Sequence, residues 1–333
     1  MRAIRYDSAG VGGLVDVAVP TAGPGDLVVR VGSSGICGTD LHIIAEDYPV
    51  ASLPRVIGHE FAGRVTQVGP GVEGFAVGDL VAADPNSYCG QCAWCRQGAY
   101  NLCTSWGAVG LTTDGAMAEY VRVGARFAVK LPEGMDAEVG ALIEPLSCVL
   151  HGFEMADFAP GHALLVYGAG MLGLSATIVA QARDLDVYVV EPHAFRRAKA
   201  VELGAVAAAA DVAGLGGPAT FDCVLDATGV PAAIEDGVAH LGVRGTYLQM
   251  GVAPTAARLT LSPYVLYERE WTIVGSMSLA DQYVPAAELM PSIADQMRAL
   301  VTHRYPLEQF DEAMAAMRTP EAIKVHIRPD LDD

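Results

Sequence analysis

Four cysteines fall within fifteen residues, Cys89-Gly-Gln-Cys92-Ala-Trp-Cys95-Arg-Gln-Gly-Ala-Tyr-Asn-Leu-Cys103, in the spacing C-x2-C-x2-C-x7-C. A loop of this length wraps four thiolates around one zinc ion, with no coordination position left open, so such a site holds structure and does no chemistry. A second set of metal-type ligands is scattered along the chain. It comprises Cys37 in Gly35-Ile-Cys37-Gly-Thr39-Asp40-Leu-His42, His59 and Glu60 in Gly58-His59-Glu60-Phe-Ala-Gly63, and Glu144 in an otherwise apolar Leu142-Ile-Glu144-Pro145-Leu146. Cysteine, histidine and carboxylate are the donors of an open zinc site, where three protein groups leave a place for water or substrate. Each of these residues alone has a bland buried explanation, so the weight lies on the combination.

A third motif, Gly168-Ala-Gly170-Met171-Leu172-Gly173, fits G-x-G-x-x-G. Alone it is weak, but the strand-like Ala163-Leu-Leu-Val-Tyr167 precedes it, a helical pattern follows, and a second strand ends at the acid Glu191. The first glycine allows a tight turn, the second admits a pyrophosphate to the backbone, and the third lets helix pack on strand. The helix N-terminus offers free N–H groups to the phosphates. Glu191 lies eighteen residues past Gly173, about where an acid binds a ribose diol. Its charge would repel a 2′-phosphate, which favours NAD over NADP. Arg196 and Arg197 stand close enough to grip such a phosphate, although arginines on a helix surface are commonly solvated.

The rest of the chain must position these groups. Its 333 residues suggest two domains, and its 52% apolar content fills large cores. A net charge of −18 argues against nucleic acid or an anionic membrane as a partner. The N-terminus shows no secretory signal. Seven cysteines, four of them crowded together, fit metal binding in a reducing cytoplasm better than a disulfide framework. Residues 164–182 carry no charge and are long enough for a membrane helix, but Gly168, Gly170 and Gly173 break the run into a strand and a short buried helix.

The first half reads as strands and turns: 27–31, 63–69, 78–83, 119–123 and 127–131, a compact, barrel-like β domain. After a helix at 141–153 the pattern becomes α/β, with strands at 163–167, 187–190, 221–226, 245–250 and 271–275 alternating with helices, which implies a parallel sheet covered on both faces. The Ala- and Gly-rich 204–220 reads as a short edge strand and loop. The tail from about Leu279 is helical and then forms a strand at 323–328.

With these motifs in this order, the chain resembles the zinc-containing medium-chain dehydrogenases, the alcohol and polyol dehydrogenase family, over essentially its full length. Gly58-His59-Glu60-x-x-Gly63-x5-Gly69-x-x-Val72 is similar to the family's zinc signature. The resemblance implies a GroES-like catalytic domain over 1–149 and 279–333, with the zinc lobe at 86–106, and a doubly wound Rossmann domain over 150–278. It implies that Cys37 and His59 hold a catalytic zinc, with Glu60 or Glu144 as the carboxylate, Glu144 falling where polyol dehydrogenases carry glutamate and simple alcohol dehydrogenases cysteine. It also implies a proton relay through Thr39 and His42, Asp40 orienting His59, and cofactor contacts at Thr228, Met250 and Gly251. Ile43, Trp106 and Ser276 become substrate-pocket residues. Cys148 and Cys223 read as packing.

Zinc stabilises an alkoxide, and an alkoxide yields hydride to nicotinamide far more readily than an alcohol does. The function expected is NAD-dependent oxidation of a secondary alcohol in a polyol, sugar alcohol or diol, by a homodimer or homotetramer with two zinc ions per chain. Simple alcohols, or an amino alcohol such as threonine, are the alternative within enzymes. A catalytically silent cofactor-binding regulator is the alternative outside them.

Overall fold

The structure is a computed structural model that describes residues 1–46 and 51–329. The chain forms two compact units, Met1–Glu144 with Ala280–Asp333, and Pro145–Leu279. The first crossing therefore falls inside the helix Ile143–Ala156, a few residues earlier than the sequence suggested.

The first unit is built on a seven-stranded sheet. Its order is Ala128–Lys130, Leu80–Ala83, Glu60–Val68, Asp26–Gly35, Lys324–Ile327, Val301–Tyr305, with Tyr120–Gly124 also paired to Asp26–Gly35. The ten-residue Asp26–Gly35 strand is the axis of this unit. Its first half pairs with Tyr120–Gly124, its end with Lys324–Ile327, and Glu60–Val68 runs along it throughout. The alternation Leu27, Val29, Val31 explains its place: these side chains pack into one core with Phe61, Val65 and Val81. A separate three-stranded sheet joins Val11–Asp16, Arg2–Ser8 and Arg55–Val56. The Arg2–Ser8/Val11–Asp16 hairpin gave no strand signal in the sequence, because Val11–Asp16 is almost wholly exposed and carries no core-facing alternation.

The second unit is a six-stranded parallel sheet. Its spatial order is Ala207–Ala209, Asp186–Val190, Ala163–Tyr167, Phe221–Asp226, Leu241–Gln249, Thr272–Gly275. Numbered along the chain, that is 3-2-1-4-5-6, the doubly wound order of dinucleotide-binding domains. Consecutive Leu164, Leu165 and Val166 are all buried, as a strand covered on both faces requires. The uncharged 164–182 run divides into the strand Ala163–Tyr167 and the helix Met171–Gln181. Among the described residues, one helical run, 137–156, is long and apolar enough to cross a membrane, and most of it is buried within the fold.

One buried carboxyl tests this packing. Asp84 follows the Leu80–Ala83 strand and accepts hydrogen bonds from the Asn86 backbone N (2.8 Å) and side-chain Nδ2 (2.9 Å). Burial nevertheless pushes its carboxyl up to about 7. The folded state then keeps a proton that the unfolded state has already lost, so stability from this group is full in acid and is lost as pH rises from about 4 to about 7. Replacing it by Asp84→Asn should make the protein more stable relative to the parent at pH 8 than at pH 5, by about 2–3 kcal/mol. Urea unfolding of both proteins at the two pH values measures this; a difference that ignores pH would contradict it.

Candidate active site and metal centres

The four-cysteine lobe is closed on itself. Cys89 Sγ lies 4.0 Å from Cys95 Sγ and 3.6 Å from Cys103 Sγ, bracketing the roughly 3.8 Å edge of a tetrahedron with 2.3 Å zinc–sulfur bonds. Backbone N–H groups aim at the sulfurs: Gln91 and Cys92 at Cys89, Cys95 at Cys92, and Cys89 and Ser105 at Cys103. These donors favour thiolate. They hold Cys89 below its usual value and, from Cys95 and Thr104, lower Cys92 to about 5, whereas burial pushes Cys95 up to about 12. Cys89, Cys92 and Cys95, with such opposed tendencies in one cluster, fit a group that a dication makes uniformly anionic. All four residues foreseen for structural zinc meet here.

The second set converges within the first unit. One ligand atom each from Cys37, His59 and Glu60 lie within 4.8 Å of one another. Cys37 caps the helix Gly38–Ile44 just beyond the Asp26–Gly35 strand. His59 and Glu60 lead into the neighbouring Glu60–Val68 strand, so sheet pairing brings the two segments together. The buried Asp40 carboxylate accepts from Cys37 N at 2.8 Å, and its other oxygen sits 3.5 Å from His59 Nδ1. Burial opposes charge on His59, but the negative charges of Asp40 and Cys37 outweigh it and hold the ring's pKa well above its usual value. The site thus favours positive charge at its centre, and a buried sulfur–imidazole–carboxylate set suits zinc. Glu144 is buried but stands outside the three-residue group.

A residue that sequence reasoning did not single out joins this centre. Lys324 is buried on the Lys324–Ile327 strand, forms an ion pair with Glu60, and donates from Nζ to Ile36 O at 3.0 Å. Burial disfavours its charge, yet Glu60, Cys37 and Glu144 reverse that and raise its pKa. The alternating Ile323-Lys-Val-His-Ile carries no local signal that this lysine is buried.

In the second unit the glycine motif stands at the carboxyl end of the first parallel strand. Gly168 has φ +93°, and a Cβ on Gly173 would lie 1.8 Å from Gly168 O, so strand and helix touch backbone to backbone. Gly170 caps the helix Met171–Gln181, and a Cβ there would meet nothing within 4 Å, leaving the space over the helix end open. Glu191 is buried beside this turn, accepting from Ala169 N and His193 N, both at 2.9 Å. Asp226 gathers the loops behind two further strand ends: Thr228 Oγ1 (2.6 Å), Gly229 N (2.8 Å) and Gln249 Nε2 (2.7 Å) donate to its carboxylate. Met250 N and Gly251 N donate to its backbone oxygen. Asp226 and Gln249 are therefore structural members of the cofactor-side loops that sequence reading left out. Arg197 donates to the carbonyls of Glu191 and Pro192, while Arg196 is half-buried on the helix Ala194–Glu202.

Thr39 and His42 lie one turn apart on Gly38–Ile44, both half-buried. Ile43 is buried in the core of the first unit, with Trp106 packed against it and donating to Asn86 Oδ1 at 3.1 Å. Ser276 Oγ is buried without a hydrogen-bond partner.

Residues 23–133 match the alcohol dehydrogenase GroES-like domain and 137–328 the glucose dehydrogenase C-terminus. The chain is 34% identical to D-altritol 5-dehydrogenase of Agrobacterium fabrum, over 93% of this chain and 94% of that protein. It is 33% identical to sorbitol dehydrogenase of Halalkalibacterium halodurans (93% of each). It is also 33% identical to L-threonine 3-dehydrogenase of Pyrococcus horikoshii (98% and 97%). Among solved structures, a zinc-binding dehydrogenase of Sinorhizobium meliloti bound to NADP superposes with TM-score 0.94 at 30% identity, over 98% of this chain and 99% of that one. An alcohol dehydrogenase of Escherichia coli complexed with NADH gives 0.90 at 27%, over 98% and 99%. With the doubly wound sheet, the closed thiol lobe and the Cys37–His59–Glu60 set already in place, these matches make the chain a member of the zinc-containing medium-chain dehydrogenase family, in its polyol dehydrogenase branch, and so an oxidoreductase of alcohol groups.

Proposed function

We propose that the protein oxidises a secondary alcohol of a polyol, sugar alcohol or diol to the ketone, reversibly, with NAD as hydride acceptor. The observation that carries this reading is the donor set of Cys37, His59 and Glu60 around one point, with Glu144 buried at the head of the helix Ile143–Ala156, where the polyol branch carries glutamate. The altritol and sorbitol relatives support it. The threonine dehydrogenase relatives, equally similar, support a second reading in which the substrate is an amino alcohol.

A zinc ion held there would supply Lewis acidity, and a bound nicotinamide the acceptor for hydride. The chain's own residues do the rest. Asp40 fixes the His59 ring through Nδ1, leaving its other nitrogen to face a metal. Thr39 and His42, three residues apart on one helix face, form a path by which the alcohol proton leaves, with imidazole handing it to solvent. Glu191, held rigid by two N–H donors, binds the ribose diol and repels a 2′-phosphate, so NAD is preferred. The Asp226 hub shapes the loops at Thr228 and Gly251. Ile43 is sealed in the core of the first unit, and Trp106, packed against that core, is the better placed of the two to meet a substrate. Seven cysteines outside any disulfide, four of them gathered in one lobe, support a reducing, cytoplasmic setting, and analogy with the family supports a homodimer or homotetramer.

Metal analysis should return two zinc ions per chain, and loss of Cys89 by Cys89→Ser should remove one of them and lower stability before it alters the chemistry. A substrate panel with NAD and NADP decides the rest. Turnover of polyols or diols, little of monohydric alcohols, and at least about tenfold better kcat/KM with NAD are expected. Preference for threonine would establish the second reading. No activity with any alcohol in zinc-replete protein would leave a cofactor-binding regulator. Glu191→Ala should erase the preference for NAD over NADP; a variant that kept it would remove Glu191 from cofactor choice.

A further inference from the structure

Trp106 is held from three sides within the first unit. Its backbone N donates to Cys103 O at 3.1 Å, which ties it to the last cysteine of the thiol lobe. It packs against the core that contains Ile36, the residue before Cys37, and Ile43, on the same helix as Thr39 and His42. Its Nε1 donates to Asn86 Oδ1 at 3.1 Å. Asn86 stands beside it because the short strand Asn86–Ser87 pairs with Gly107–Ala108, the two residues after Trp106. Asn86 is itself buried, and its Nδ2 and backbone N both donate to Asp84 Oδ1, at 2.9 and 2.8 Å. This chain of bonds runs in one direction only. An indole donates and never accepts, and the Asp84 carboxylate accepts, so turning the Asn86 amide over would break both of its side-chain bonds at once. Burial, then the charges of Asp84 and Glu144, hold the hydroxyl of the buried Tyr283 well above its usual value, so both acids lie within electrostatic reach of one side chain.

Resting on the reading of Trp106 as a pocket residue, we propose that Asn86 is a positioning residue that fixes Trp106 as an apolar platform for the carbon chain of the substrate beyond its reacting carbinol. An indole whose N–H is free seeks an acceptor, and in a pocket a substrate hydroxyl would serve. Here the N–H is occupied by Asn86. What Trp106 can offer a substrate is therefore the carbon face of its ring, and its half-buried state leaves part of it open. The negative π surface suits the slightly positive C–H groups along a polyol or diol. Such a contact is the same before and after hydride leaves, so it contributes to binding and not to the chemical step.

The test is steady-state kinetics of the zinc-replete protein with NAD, in a double-mutant cycle of Asn86→Leu and Trp106→Phe. The parent is assayed first: turnover of a polyol or diol upholds the reading of the pocket, and a parent inactive on all of them overturns that reading and this proposal with it. With an active parent, Asn86→Leu should raise KM for that substrate about fivefold or more and leave kcat within about twofold, and Trp106→Phe should do the same. In the Trp106→Phe background, Asn86→Leu should change KM no further. A Trp106→Phe protein with the parent's KM would take Trp106 out of the pocket. If Trp106→Phe raises KM but Asn86→Leu does not, the role of Asn86 alone is overturned. A loss of kcat at unchanged KM, or an equal rise in KM in both backgrounds, would mean that Asn86 acts on the fold and not through the indole, which also overturns the proposal. Should Asn86→Leu fail to fold, Asn86→Ala is carried through the same cycle with the same expectations.

Discussion

An ionised group taken out of water costs several kcal/mol unless another charge or a set of donors meets it. This chain buries Asp40, Glu60, Glu191, Asp226 and Lys324, and the candidate site is largely the record of how each is met. Asp40 is met by the Cys37 N–H and the His59 ring, Glu191 by the glycine turn and His193, Asp226 by the loops it gathers, and Glu60 by Lys324. The apolar cores of the two sheets must carry the stability that these burials consume, which is why strands such as Ala163–Tyr167 are almost entirely sealed.

The partners divide into two kinds. Glu191 is met by backbone N–H groups, and Asp226 by Gly229 N together with the Thr228 hydroxyl and the Gln249 amide, donors fixed by the turns and strand that present them. Such carboxylates set a shape. Glu60 is met by a side-chain ammonium at the end of four rotatable bonds, beside a site that draws positive charge. The acids held by turns stand at the glycine motif and the strand ends of the second unit, and the ion-paired one stands beside Cys37 and His59.

What could be read from the sequence followed from distance along the chain. The thiol lobe and the glycine turn are continuous segments, so spacing alone described their geometry, and the doubly wound sheet followed from the strand–helix alternation around Gly168. The Cys37 and His59 segments needed a resemblance to be joined, because the pairing that unites them is set by the Asp26–Gly35 strand and not by either motif. Lys324 was not legible. In Lys-Val-His-Ile, polar and apolar residues alternate as they would on a half-exposed strand, but this strand lies between two others and buries both faces. Nothing local distinguishes a lysine that faces solvent from one that faces Glu60. The crossing between units at Glu144 was equally hidden, since it falls within a continuous helix where composition does not change.

The same distinction separates the two metal sites physically. The closed site draws its ligands from fifteen consecutive residues, and its sulfurs are already met by the N–H groups of that loop. Bringing those ligands together asks little chain entropy, and metal binding there is local folding. The open site needs Cys37, His59 with Glu60, and Lys324 from opposite ends of the chain, and none is in place until the Asp26–Gly35 strand has both neighbours. The sheet rather than a metal holds those unequal donors together. Four thiols gathered by one loop suit an ion that serves structure, whereas three unlike donors held by a sheet suit an ion left free for chemistry.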